Sequence, residues 1–526
     1  MCSLNSRHFC LDSGIHFTSL PPGSDFPRER TVAYEHPEQT VVGRKFENAA
    51  REHVGTSGFR ILTMGVDGFL TRAQMINSAE RTLDLQYFIF RGDETGQLLA
   101  EALLRAADRG VRVRILLDDG ETVDGDEKIA ALEAHPHIAI RIFNPFAYRG
   151  HINLIRATEF LFNKSRLDYR MHNKLLVVDN ALALIGGRNV GDQYFQIDPE
   201  AQFGDDDVFA VGPVVKQLSA TFDDYWNSAL AIPAAALEAP SDSALSVYRL
   251  ALAEHRQKLK MDGADYASRV VSGEPLTGML SGTLPLVWAP AHVVCDSPDK
   301  AGVEKGEIVG KLMNRSVAKN VAEVQSELLM VSPYLIPGDE GMQLFRDLRL
   351  RNASVRILTN SLISANVLAA HSGYMHYRSP LLESGVALYE VRALLGNSNG
   401  SGETKAMTRS GNYALHAKLF VFDRKKVFIG SMNFDQRSMH LNTEVGLIID
   451  SPELAQQTAA RFEAIVKPAN SYNLMLQPDE AGGATHVVWR TEEDGKAIAY
   501  TQEPARSAWQ RFMVNFLYLL PLDGEL

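Results

Sequence analysis

Two stretches rich in apolar residues, DLQYFIF (84–90) and LLMVSPYLIP (328–337), read as buried strands. Each is followed by a stretch of helical spacing and then by a second apolar run, VRVRILLDD (111–119) or SVRILTNSL (354–362). These β-α-β units predict a largely parallel sheet in each half of the chain. Further along each half, an apolar run is interrupted by a short polar turn at Asp179 or Asp423, the pattern of a β-hairpin. The expected fold is α/β: two homologous lobes with mixed, largely parallel sheets flanked by helices, related by a pseudo-twofold axis.

Around this frame the pattern changes. Residues 1–58 are polar and irregular, with SLPPGSDFPRER marking an extended N-terminal segment. A first domain with its linker is expected over 59–283 and a second over 284–477; the Pro, Gly and Ser clusters of 236–283 flank a charged helical patch at 246–261. In the tail, 478–526, Trp509, Phe512, Met513, Phe516, Leu517 and Leu520 fall at helical spacing, making an amphipathic helix too short to span a bilayer. The uncharged runs 275–295 and 357–377 are broken by proline or studded with polar residues, so neither reads as a membrane span.

Composition narrows the class. The chain has 526 residues, 45% of them hydrophobic and 22% charged, enough to bury sizeable cores. A net charge of −11 argues against a field built to attract nucleic acid, and no nucleic-acid partner is expected. Three cysteines, Cys2, Cys10 and Cys295, without C-x-x-C spacing suggest neither a disulfide framework nor a cysteine zinc site. The N-terminal residues show no export signal.

The chemistry lies in an internal repeat. RMHNKLLVVDNALALIGGRN (170–189) and LHAKLFVFDRKKVFIGSMN (415–433) align His172, Lys174, Asp179, Gly186 and Asn189 with His416, Lys418, Asp423, Gly430 and Asn433. His and Lys two residues apart on one strand project from the same face, and the asparagine is expected at a helix start beside free backbone donors, together forming a phosphate site. A neutral imidazole can attack phosphorus and a protonated one can donate to the leaving oxygen. The lysines Lys174 and Lys418, with Asn189 and Asn433, can bind the non-bridging oxygens. Two ammonium groups supply the charge that other phosphodiesterases take from cations, so no metal and no cofactor is expected. His135, His137 and His151 arrive without such company and read as structural, while His371 and Tyr374 are left outside the catalytic set.

The doubled H-x-K-x4-D with downstream G-x-x-N resembles the phospholipase D superfamily, and the stretches FGDDDVFAVGPVV (203–215), HSGYMHYRSPLLESGVALYE (371–390) and GSMNFDQRSMHLNTEVGLIID (430–450) are similar to its cardiolipin synthase branch, the short type without N-terminal membrane helices. The resemblance covers roughly residues 58–526. It implies phosphatidyl transfer through a phosphohistidine, with His172 as nucleophile and His416 as acid and then base, although the symmetry leaves an exchange of roles open. It also implies a carboxylate hydrogen-bonded to the catalytic imidazole: Glu444 after the second motif, and Asp207, ahead of Asp205, in the first half. Asp179 and Asp423 are expected to organise the turn. Ser431 stands where the first repeat has Gly187, so only one half offers that hydroxyl to the phosphate or its surroundings. Phosphatidylglycerol, or phosphatidylethanolamine, is the implied substrate and the membrane surface the implied partner, with the protein peripheral on the cytoplasmic face of a bacterial inner membrane. Both motifs share one chain, so no oligomer is required. The alternatives are a phospholipase D or phosphodiesterase hydrolase of the same superfamily, or a silent membrane- or partner-binding protein.

Overall fold

A computed structural model describes residues 20–120, 125–150, 152–198, 202–261, 275–394, 413–478 and 485–520. Cys2, Cys10, His151 and part of the expected linker lie outside them. In chain order the first ten strands are β1 (Ser57–Leu62), β2 (Thr82–Tyr87), β3 (Arg112–Asp118), β4 (Ile138–Phe143), β5 (Leu175–Val178), β6 (Leu182–Gly186), β7 (Gln202–Gly204), β8 (Asp207–Val211), β9 (Ala231–Pro233) and β10 (Val287–Ala289). The remainder are β11 (Ala291–Cys295), β12 (Glu327–Val331), β13 (Ser354–Asn360), β14 (Ala387–Val391), β15 (Tyr413–Leu415), β16 (Leu419–Phe422), β17 (Lys426–Gly430), β18 (Val445–Asp450), β19 (Ser471–Pro478), β20 (Thr485–Glu493) and β21 (Lys496–Tyr500).

One sheet has the order β10-β1-β8-β6-β5-β2-β3-β4-β9 and the other β11-β18-β17-β16-β12-β13-β14-β19-β20-β21, so the same eight-strand order occurs in both lobes. The two-lobe α/β reading holds, with mixed sheets. Within these two sheets parallel pairing is confined to β2-β3-β4 and β12-β13-β14, because the motif hairpins enter antiparallel at β2 and β12; the expectation of a largely parallel sheet is corrected accordingly. The lobe boundary also moves. β10 still pairs with β1, and the chain crosses to the second sheet at Pro290, a few residues beyond the expected 284. Beyond 478, β20 and β21 extend the second sheet before the helix Ala508–Tyr518.

Period-2 alternation sends the apolar residues of one strand to two different cores. In β3, Val113, Ile115 and Leu117 enter the outer core of the first lobe, whereas Leu116 enters a core shared with Leu329, Leu358 and Val421 of the second sheet. Helices Pro213–Trp226 and Pro452–Ile465 contribute Leu218, Phe222, Leu454 and Phe462 to that shared layer, and a third core lies outside the second sheet. Both faces of each sheet are therefore covered.

Candidate active site

The two motif hairpins are built alike. Asp179 and Asn180 turn β5 into β6 at φ +52°, and Asp423 and Arg424 turn β16 into β17 at +51° and +52°. The Asp179 carboxylate accepts from the backbone N–H groups of Glu80, Arg81 and Thr82 (2.7–2.9 Å), and Asp423 does the same for Gln325, Ser326 and Glu327, so each turn is tied to the head of β2 or β12. Gly186 and Gly430 sit where β6 meets β8 and β17 meets β18. A Cβ on Gly186 would overlap the Asp206 carbonyl, and one on Gly430 would lie 2.7 Å from the Val445 carbonyl.

His172–Lys174 and His416–Lys418 do not lie on the hairpin strands, as the spacing suggests, but in extended chain just before β5 and β16. Here the lobes interlock. β15 pairs in parallel with β7, Leu415 opposite Gly204, and His416 donates its backbone N–H to the Gly204 carbonyl at 2.8 Å. The symmetric contact pairs Met171 with Thr443, and His172 N–H donates to the Thr443 carbonyl at 2.9 Å. Residues at the ends of equivalent strands brace these segments: Asp118 accepts from Met171 N–H at 2.7 Å, and Asn360 accepts from Leu415 N–H at 2.8 Å.

This interlock crosses the carboxylates between lobes. Glu444, of the second lobe, lies with both oxygens 3.0 Å from His172 Nδ1, and Asp205, of the first, lies 2.6 Å from His416 Nδ1. The assignment of Asp207 is corrected. Gly186 pairs with Asp207 and Gly430 with Gly446, so the residue equivalent to Glu444 is Asp205, two positions earlier. Asp207 is instead held by Arg72 at 2.7 Å and Arg188 at 3.1 Å, all three buried.

The repeat mismatch at Gly187 and Ser431 follows from the lengths of these acids. A Cβ at Gly187 would overlap Asp205 Oδ1, so the shorter aspartate sits against a glycine. Ser431 Oγ donates to Glu444 Oε2 at 2.5 Å and Ser438 Oγ to Oε1 at 2.9 Å. Ser431 is thus committed to the carboxylate, a correction to its expected place on the phosphate. The asparagines also differ from expectation, since neither starts a helix. Asp435 caps Gln436–His440, while Asn189 accepts from Ile89 N–H (3.1 Å) and donates to Tyr194 Oη (3.0 Å). Asn433 Oδ1 is buried without a hydrogen-bond partner.

Lys174 and Lys418 are 1% exposed and the histidines only 8% and 6%, so all four residues are buried. Each lysine donates to the carbonyl of its own histidine at 2.5 Å, and Lys418 Nζ also lies 3.0 Å from His416 Nδ1. Burial, then Lys174 and Lys418, holds His172 well below its ordinary value; burial and Lys418 lower His416 to about 3. Burial and the neighbouring lysines thus favour the neutral form of both rings. Burial pushes Glu444 up to about 7 and Lys418 down to about 8. For Asp205, burial is outweighed by His416 and Lys418, which hold the carboxylate below its usual range. With Nδ1 of each ring facing a carboxylate, Nε2 is the nitrogen left free to meet a ligand. Phe88 packs edge-on against His172 at 5.1 Å, and Phe203 stacks on His416 at 5.2 Å. Sequence reasoning passed over Asp118, Asn360 and Tyr194; the first two stood at matching positions in the strand-end runs ILLDD and ILTNS.

Two imidazoles and two buried lysines, contributed by two lobes of one chain, form a site that can bind a phosphodiester and exchange a proton with it, on a phospholipase D-like fold. The family model described as "Cardiolipin synthase, PLD-like domain" matches residues 73–226 and 317–466. The chain is 36% identical to cardiolipin synthase C of Escherichia coli K12 over 480 residues, 90% of this chain and 97% of that one. It is 25% identical to the major cardiolipin synthase ClsA of Bacillus subtilis over 422 residues, 79% of this chain and 71% of the relative. The crystal structure of phosphatidylserine synthase from Haemophilus influenzae superposes with a TM-score of 0.53 at 13% identity, covering 82% of this chain and 92% of that one. The chain belongs to the cardiolipin synthase family, the phosphatidyltransferase branch of the phospholipase D superfamily.

Proposed function

We propose that the protein moves a phosphatidyl group from phosphatidylglycerol, or phosphatidylethanolamine, to a lipid alcohol through a phosphohistidine on His172. The observation that carries this reading is the crossed pairing of each motif histidine with a carboxylate of the other lobe, around two buried lysines. The names of the cardiolipin synthase relatives favour a phosphatidylglycerol donor.

The lysines bind the phosphodiester anion, which offsets the charge that Lys418 imposes on His416 and lets that ring carry a proton. His172 Nε2 attacks phosphorus, the P–N bond forms, and the P–O bond to the headgroup alcohol breaks as His416 delivers its proton to the leaving oxygen. The acceptor hydroxyl then gives its proton to His416, its oxygen attacks phosphorus, and the P–N bond breaks. The strongly held Asp205 suits His416 to proton transfer. Glu444, pushed up by burial, favours imidazolium less and leaves His172 a neutral nucleophile.

The proposed location is the cytoplasmic face of a bacterial inner membrane. Among the described residues no helix is long and apolar enough to cross a membrane. Two exposed apolar faces support peripheral attachment: Trp509, Phe512, Phe516 and Leu519 on and just after Ala508–Tyr518, and Leu154, Ile155, Leu161 and Phe162 on Asn153–Phe162. The first is tied by Gln510 to the Leu362 carbonyl (2.7 Å), and the second by Arg156 to the Asp119 carbonyl (3.2 Å). Leu362 and Asp119 follow the equivalent strands β13 and β3, whose last residues brace the two histidine segments, so both faces anchor at the active-site end of the molecule.

The test is turnover of phosphatidylglycerol in detergent micelles, alone and with phosphatidylethanolamine, with lipid products resolved by mass spectrometry. Cardiolipin with released glycerol or ethanolamine, and a phosphatidyl adduct on the His172 peptide, are expected. His172→Ala should abolish both. Phosphatidic acid as the sole product would replace transfer with hydrolysis.

A further inference from the structure

The geometry points to an acyl-chain site in the first lobe alone, a cavity that takes one chain of an anionic phospholipid donor and so makes the two halves of the site unequal. It rests on the phosphatidyl-transfer reading for its substrate. The cavity, about 310 Å³, lies beside the C-terminal ends of the parallel strands and is walled by Phe90, Leu117, Ile129, Leu132, Ile140 and Tyr248. That is near the lower bound of roughly 300 Å³ for ligand pockets, too small for a two-chain lipid but suited to part of one chain. The walls are apolar; the exposed residues at the rim include two cations, Arg91 and Lys128, with the Lys128 ammonium lying against Gly92.

One wall of the cavity is tied to the catalytic segment by hydrogen bonds. Arg91 N–H donates to the Val190 carbonyl at 3.1 Å, Val190 N–H to Ile89, and Ile89 N–H to the motif amide Asn189 Oδ1. Phe90 thus stands one residue from the amide that binds the motif asparagine, and a chain seated beside it has two cations, Arg91 and Lys128, at the cavity mouth to meet an anionic headgroup.

The second lobe shows what the same place looks like when filled. Phe90 bridges Val190, and at the equivalent position Leu335 bridges Phe434. There the cavity beside Leu335 and Thr359 shrinks to about 10 Å³, lined by His371 and Tyr374 of the helix Leu368–Glu383. Tyr374 Oη donates to Glu390 at 3.0 Å, and His371 and Arg378 both bond Glu503, so this helix is locked in place by a buried polar network. The first lobe has kept open a space that its counterpart closes, and has lined it with hydrocarbon.

The test uses the full chain in detergent micelles with phosphatidylglycerol carrying a diazirine near the end of one acyl chain, the label mapped by mass spectrometry. Labelling of the walls around 90–96 and 128–140 is expected, in wild type and in His172→Ala alike. Ile129→Trp, which fills the cavity, should remove that label and lower the ratio of dioleoyl to dihexanoyl phosphatidylglycerol turnover about tenfold, the loss expected when about two methylenes stay unburied. Lys128→Glu, at an exposed position, checks the rim without touching the core and should lower labelling severalfold. Label confined to the two exposed helices, or an unchanged chain-length ratio in a folded Ile129→Trp protein, would overturn the proposal. Wall labelling without any lipid turnover would uphold the pocket and sink the transfer reading instead.

Discussion

Asp205 and Asp207 stand two residues apart in one acidic run, and the structure assigns them opposite tasks. Asp205→Asn keeps the shape beside His416 but removes the negative charge 2.6 Å from Nδ1. The imidazolium then loses its counter-charge and the ring its enforced tautomer, the kind of change that costs a catalytic triad about 10⁴ in kcat. A fall of about 10³- to 10⁴-fold in kcat is expected, roughly 4–5.5 kcal/mol of transition-state stabilisation, with little change in melting temperature. Asp207→Asn instead strands Arg72 and Arg188, 2% and 0% exposed. Breaking one side of such a buried pair costs about 3–5 kcal/mol, which for a lobe of this size lowers Tm by roughly 10 °C. The folded fraction should still turn over at a rate near that of wild type. Measuring kcat with saturating labelled phosphatidylglycerol beside calorimetric Tm separates the two. If Asp207→Asn abolished turnover at unchanged Tm while Asp205→Asn stayed active, the register argument that pairs Asp205 with His416 would be wrong.

Further outcomes follow from the same geometry. Glu444, raised to about 7 by burial, sets a negative charge beside His172 only when ionised, so kcat/KM should fall as pH drops through about 7. Ser431→Ala removes a hydrogen bond that favours the ionised form and should move that acid limb upward by about one unit; an unmoved limb would assign it to another group. Gly187→Ser places a side chain where Asp205 Oδ1 lies, and kcat should drop by at least about tenfold as the carboxylate is pushed from His416, even though serine is the residue of the other repeat. Truncation at 503 should weaken sedimentation with anionic liposomes, and undiminished binding would exclude the tail helix as an anchor. Chelators should leave turnover intact, since the site's positive charge comes from Lys174 and Lys418; loss of activity restored by zinc or magnesium would refute that account.

Much of this protein was legible along the chain, because the information was local. A short apolar-rich run followed by a helical stretch and a second such run reads as a β-α-β unit, a turn Asp between two such runs marks a hairpin, and two copies of one spacing announce two copies of one lobe. Those features placed His172, Lys174, His416 and Lys418 together before any coordinates. The carboxylates were a different matter. Asp205 and Asp207 offer two candidates, and which of them meets an imidazole depends on the register between β6 and β8 and on a strand from the other lobe. Ser431 likewise had a hydroxyl whose partner lies in Glu444, set by the pairing of β17 with β18. The parallel bridges at Leu415–Gly204 and Met171–Thr443 decide that each histidine takes its carboxylate from the opposite half. Hydrophobic periodicity records which face of an element is buried; it carries no record of which distant strand lies beside it, and here that choice sets the charge beside every reacting nitrogen.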